Sequence, residues 1–182
     1  LKKPISIYLY GSTITLVGIV LIFSNNLSLR NIQLSLGITL SLGAIFALAA
    51  AFSQYRKQVR FAYHELHALT MIVYGLTTLI FGFSLEKLIS FTTFLFIFYS
   101  FSEIIFCNWL FNLSQKVDYK IVIVRVALGL AIGVGTVLAL NLPNITMEIF
   151  GALFLMIGIN VIFYAPVMDT NQFNLLNKEF SQ

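Results

Sequence analysis

Charge is what this chain has least of. Of its 182 residues only 10% are Asp, Glu, Lys or Arg, against roughly 25% in an ordinary soluble domain. That leaves too little polar surface to cover a water-soluble globule of this length. Proline occurs only 3 times, so long apolar stretches run without a breaker. The single cysteine, Cys107, excludes an intramolecular disulfide framework and any Cys-rich metal site. It lies in an apolar stretch, where a thiol normally packs as an inert small group. The motifs of catalysis are missing too: no GxSxG elbow, no P-loop, no dinucleotide glycine fingerprint after a strand, no clustered His or carboxylate set. The chain is therefore read as non-enzymatic, without a resident cofactor or metal.

Hydrophobic residues fill the space that charge leaves: 59% of the chain, with Phe alone present 18 times. A membrane-spanning helix needs about 20 apolar residues. Six stretches qualify, Ile5–Phe23, Ile32–Phe52, Leu66–Phe83, Leu88–Phe111, Ile121–Leu140 and Met147–Val167, each bounded by polar or charged segments such as SNNLSLRN, SQYRKQVR and SLEK. The fold class is all-α: one polytopic membrane domain over residues 1–182, without a soluble domain. The third and fourth spans are separated least and are expected to form a tight antiparallel hairpin. The first span is too long for a signal-peptide core and no small-residue cleavage site follows it. Numbering starts at Leu1 rather than Met, so the start of translation is expected upstream.

The basic residues fix an orientation. Lys2, Lys3, Arg56, Lys57, Arg60, Lys116, Lys120, Arg125 and Lys178 share one side, and only Arg30 and Lys87 the other: nine against two. Positive residues gather on the cytoplasmic side, so both termini are expected in the cytoplasm, as an even number of spans requires. The net charge of +4 is scattered in short runs between apolar stretches, which speaks against nucleic acid as a partner.

The spans also repeat. Span one contains YGSTITLVG, with Gly11 and Gly18 seven residues apart, and span three contains YGLTTLIFG, with Gly75 and Gly82 at the same separation. Span five has LGLAIGVGT, which sets Gly129 against Gly11 and Gly75 and puts Thr136 where the second glycine would be. In the even spans SFSEIIF (Ser100–Phe106) matches IGINVIF (Ile157–Phe163), and LGAIFAL (Leu42–Leu48) more weakly. The pattern is three copies of one helix hairpin, over 5–52, 66–111 and 121–167, all entering from the same side as parallel repeats. Seven residues are about two helical turns, so such glycines share a face. Small residues let membrane helices approach closely, and Gly11, Gly18, Gly75, Gly82, Gly129, Gly151 and Gly158 are taken as packing positions; backbone approach to a ligand is the alternative.

Three parallel hairpins in a chain of this length, with SFSEIIF in the middle hairpin and GALFLMIG and IGINVIF in the last, resemble the HdeD family of small bacterial membrane proteins. The resemblance runs over essentially the whole chain, on apolar motifs of low specificity. It implies six helices in the bacterial inner membrane and an association with acid resistance, without a molecular activity. One departure stands out: Asn160 occupies the last hairpin where an acid is expected, and the acid sits in the middle hairpin as Glu103.

Ionisable residues inside the membrane are costly, about 2.5–3.5 kcal/mol at mid-bilayer on insertion scales. Glu103 lies about eight residues from the cytoplasmic end of span four, roughly 12 Å at helical rise. Asn160 takes the equivalent depth by the repeat, and Arg125 lies about four residues into span five, able to reach inward or snorkel. These three form the candidate intramembrane polar centre: a proton-responsive or solute-binding site, or a structural ion pair between Glu103 and Arg125. His64 and His67, in HELH, are close enough in sequence to share a metal but lack HExxH spacing and a third ligand; contact with headgroups or loops is expected instead. Glu148, near the outer end of span six, is expected to be satisfied by water or Lys87. Tyr8, Tyr10, Tyr55, Trp109 and Tyr164 are expected at the interfaces, while Tyr74 and Tyr99 lie deeper and need partners. Asn26 and Asn144 match the glycosylation pattern, which a bacterial origin makes irrelevant. In the tail, 168–182, Phe173, Leu176 and Phe180 recur at helical spacing and suggest a surface-lying or docking segment. Partners are then lipids, with a homo-oligomer or a larger membrane assembly. Two functional classes follow: a structural or accessory membrane protein, which the resemblance implies to be stress-related, or a small channel or transporter with Glu103 in its path.

Overall fold

The computed structural model describes residues 5–55, 63–112, 119–142 and 146–169. The described residues are helical almost throughout, in the order α1 (Ile5–Ile22), a 3-10 turn (Ser24–Asn26), α2 (Leu29–Tyr55), α3 (Tyr63–Ile80), α4 (Leu85–Asn112), α5 (Tyr119–Leu140) and α6 (Met147–Asp169). Each of the six expected stretches is a helix, with ends shifted by a few residues. The tail prediction lies mostly outside the described residues, as do the loop with Arg56, Lys57 and Arg60 and the glycosylation motif at Asn144. Four helices, α1, α2, α4 and α5, are by themselves long and apolar enough to cross a membrane, and the apolar part of α6, Met147–Phe163, is shorter.

Several threonine hydroxyls are satisfied within their own helix. Thr15 donates to the Gly11 carbonyl at 2.9 Å, and Thr78, Thr92 and Thr136 each donate at 2.7 Å to the carbonyl four residues back. Such bonds keep threonine tolerable where water is absent.

The closest helix pairs are α1 with α6, α2 with α3, and α4 with α5. Gly11 faces Gly158 and Gly18 faces Gly151, so α1 and α6 run antiparallel with their backbones in contact. A Cβ on Gly18 would lie 2.7 Å from the Gly151 carbonyl oxygen, and one on Gly151 2.8 Å from that of Gly18. On α2 and α3, Gly37 and Gly75 meet in the same manner, each within 3.1 Å of the other's carbonyl oxygen from its would-be Cβ. Because α1 also packs on α2, and α5 on α6, the helices close into a ring, and buried Phe96 of α4 packs on Phe150 and Phe154 of α6.

Two expectations are corrected. Gly82 is not a packing glycine: it lies beyond the end of α3, with nothing within 4 Å of a would-be Cβ. The α3–α4 connection is short, yet the backbones of these two helices approach less closely than those of α2–α3 or α4–α5; they meet through side chains, Tyr63 on Glu103, His67 on Ser102 and Tyr74 on Thr92. A short loop sets chain direction, but the glycine and serine contacts of the flanking pairs draw α3 towards α2 and α4 towards α5.

Candidate functional site

The polar centre is built where α3, α4 and α5 converge. On α5, Arg125 and Gly129 stand one turn apart on the same face. Gly129 leaves room for the chain of Glu103, whose Cγ would lie 3.1 Å from a Cβ there. On α4, Ser100, Glu103 and Cys107 share a stripe at spacings of three and four, and Ser100 donates to the Gly129 carbonyl at 2.7 Å. The two stripes place the acid opposite the base.

Glu103 and Arg125 are both fully buried, at 0% exposure. Arg125 Nε donates to Glu103 Oε1 at 2.7 Å, and Nη2 lies 2.6 Å from the same oxygen. Tyr63, the first residue of α3, completes the group. Its hydroxyl donates to Glu103 Oε2 and accepts from Arg125 Nη2 at 3.0 Å. Cys107 donates to Oε1 at 3.4 Å. The guanidinium also lies beside two aromatic rings, with its carbon 5.8 Å from the Tyr63 ring centre and 5.4 Å from that of Phe106, and these rings stack on each other at 4.0 Å. Both carboxylate oxygens are thus engaged, and the charge of each partner is neutralised at contact distance. That is what a buried ion pair requires to be tolerated.

A second chain of polar contacts lies beside it. His67 is buried, with Nδ1 3.1 Å from the Tyr10 hydroxyl and Nε2 2.6 Å from the Ser102 hydroxyl. Ser102 gives its own hydrogen to the Tyr99 carbonyl at 2.9 Å. The histidine must therefore donate from Nε2 and accept at Nδ1 from Tyr10, which fixes one neutral tautomer. Further along, Asn160 Nδ2 donates to the Tyr99 hydroxyl at 2.9 Å.

Of the three residues picked from the sequence, the structure brings together Glu103 and Arg125. Asn160 is buried but belongs to the Tyr99 contact, one turn away from the ion pair. His64 and His67 point into the bundle rather than towards headgroups, both being buried. Tyr10 is likewise 1% exposed rather than interfacial, because its hydroxyl is drawn to His67. Tyr74 finds its partner in Thr92 at 2.6 Å. Glu148 accepts a hydrogen bond from Asn25 of the 3-10 turn instead of pairing with Lys87. The sequence reading missed Tyr63. It stands four residues before His67, hence on the same helix face, and that spacing was its one visible signal. Among the described residues no group of three or more His, Cys, Asp or Glu side chains could hold a metal ion.

Compared with protein-family models, with curated proteins and with solved structures, the chain matches none.

Proposed function

We propose that this chain is a non-enzymatic structural or accessory protein of the bacterial cytoplasmic membrane. In this reading all six helices cross the bilayer, as three parallel hairpins with both termini cytoplasmic. The Glu103–Arg125–Tyr63 group is its lock, joining α3, α4 and α5. One observation carries the choice of a lock over a conduit: both oxygens of the Glu103 carboxylate are held by Arg125, Tyr63 and Cys107, which leaves no face of the acid open to a passing ion. The resemblance to HdeD-like proteins supports a stress-related role by analogy alone.

The test is proton flux into proteoliposomes under an imposed pH gradient. The protein should add no flux above that of protein-free vesicles, and Glu103→Gln should leave the flux unchanged. Flux that depends on Glu103 would replace this reading with that of a small proton channel or transporter.

A further inference from the structure

Between the His67–Ser102 and Tyr74–Thr92 bridges, the α3–α4 junction leaves a slot lined by residues of α1, α2, α3, α4 and α6. Its empty space, counted with the open mouth, is about 320 Å³. It is narrow rather than a chamber. Only two of its lining residues, Thr70 on α3 and Phe98 on α4, are partly exposed, and the others are buried. The mouth therefore opens sideways between α3 and α4. Inside, Met71 and Leu95 form the walls, and Phe154 and Ile157 of α6 lie at the far end.

The chemistry of the slot selects against polar occupants. Thr70, at the mouth, donates its hydroxyl to the Leu66 carbonyl at 2.7 Å. Tyr10 and His67 are bonded to each other, and the Tyr99 hydroxyl is held by Asn160. The wall offers almost no polar surface. The surface around the mouth is apolar as well: Leu69, Val73, Phe94, Ile97 and Phe101 are each 45% exposed or more. The slot is thus continuous with the face that a membrane protein turns to hydrocarbon.

We propose that this slot is a binding site for one acyl chain of a bilayer phospholipid, inserted sideways between α3 and α4. The proposal rests on the membrane reading above. Hydrocarbon is the medium at the mouth, and an apolar chain there gains packing against Met71, Leu95 and Ile157 without leaving any polar group unpaired.

The experiment reconstitutes the intact protein in bilayers containing a phospholipid with a photoactivatable diazirine on its acyl chain, and maps adducts by mass spectrometry. Adducts are expected on Met71, Leu95, Phe154 or Ile157 as well as on lipid-facing Leu69 and Val73. Buried Ile132 and Leu36, away from the slot, should carry about tenfold fewer, as fits sites that hydrocarbon does not occupy. Thr70→Phe, which fills the half-exposed mouth, should lower the Phe154 and Ile157 adducts by about tenfold and leave those on Leu69 unchanged. Adducts on the surface residues alone would overturn the slot and leave the membrane reading standing. Cross-links from slot residues to a second copy of the chain would overturn it in favour of a protein partner. Absence of adducts on Leu69 and Val73 would overturn the membrane reading as well.

Discussion

At Glu103 the consequence of burial can be stated as a number. Gln keeps the shape of the side chain and its contact with Tyr63, but it leaves the Arg125 charge uncompensated in the bundle. Removing one partner of a buried pair costs about 3–5 kcal/mol, so Glu103→Gln is expected to lower the thermal midpoint in detergent markedly. Glu103→Leu combined with Arg125→Met should recover most of the loss, since an apolar pair of similar volume leaves no charge behind. A double variant as unstable as the single one would show that the cost is packing rather than charge. The acid and the base were legible because charge inside an apolar stretch stands out. Tyr63 was harder to read, since tyrosine is enriched at the edges of spans and its one signal, the four-residue spacing to His67, points inward only once His67 is known to be buried.

For the helices as units, the glycines separate into those that hold pairs together and one that does not. In α1, Gly18→Ala would place a methyl group 2.7 Å from both the Gly151 carbonyl oxygen and the Leu155 nitrogen. Those are backbone atoms that cannot rotate aside, so α1 and α6 must move apart, at about 1–3 kcal/mol as for overpacking. Gly82→Ala meets nothing within 4 Å and should stay within about 0.5 kcal/mol of the parent. Thermal unfolding of the two variants side by side checks both. Equal midpoints would mean that the α1–α6 contact contributes little to stability. Spacing of seven residues correctly marked Gly11 and Gly18 as sharing a face. The same spacing misled at Gly82, because α3 ends at Ile80 and a periodicity argument holds only while the helix continues.

Over the whole molecule the charge bias predicts an orientation with both termini cytoplasmic. Arg125 is buried in the ion pair, so it is not a loop charge. Without it the count is eight against two, still strongly one-sided. A cysteine placed at Asn26, which is exposed in the 3-10 turn, should react with a membrane-impermeant maleimide added outside intact cells, and one placed at Lys57 should not. The reverse result would invert the topology. Hydropathy by itself determined the class, the number of helices, their limits to within a few residues and the presence of an acid and a base inside them. These follow from the length of an apolar run, which is a one-dimensional property. Which helices pair, which glycines meet, that Arg125 turns inward to Glu103 and that α3 and α4 meet through side chains rather than backbone were decided only by tertiary packing. The physical reason is that a helix apolar on every side has no polar face to tell core from lipid. Its partner is selected by close fit between small residues and by hydrogen bonds to another helix, and neither is written in the order of residues along one chain segment.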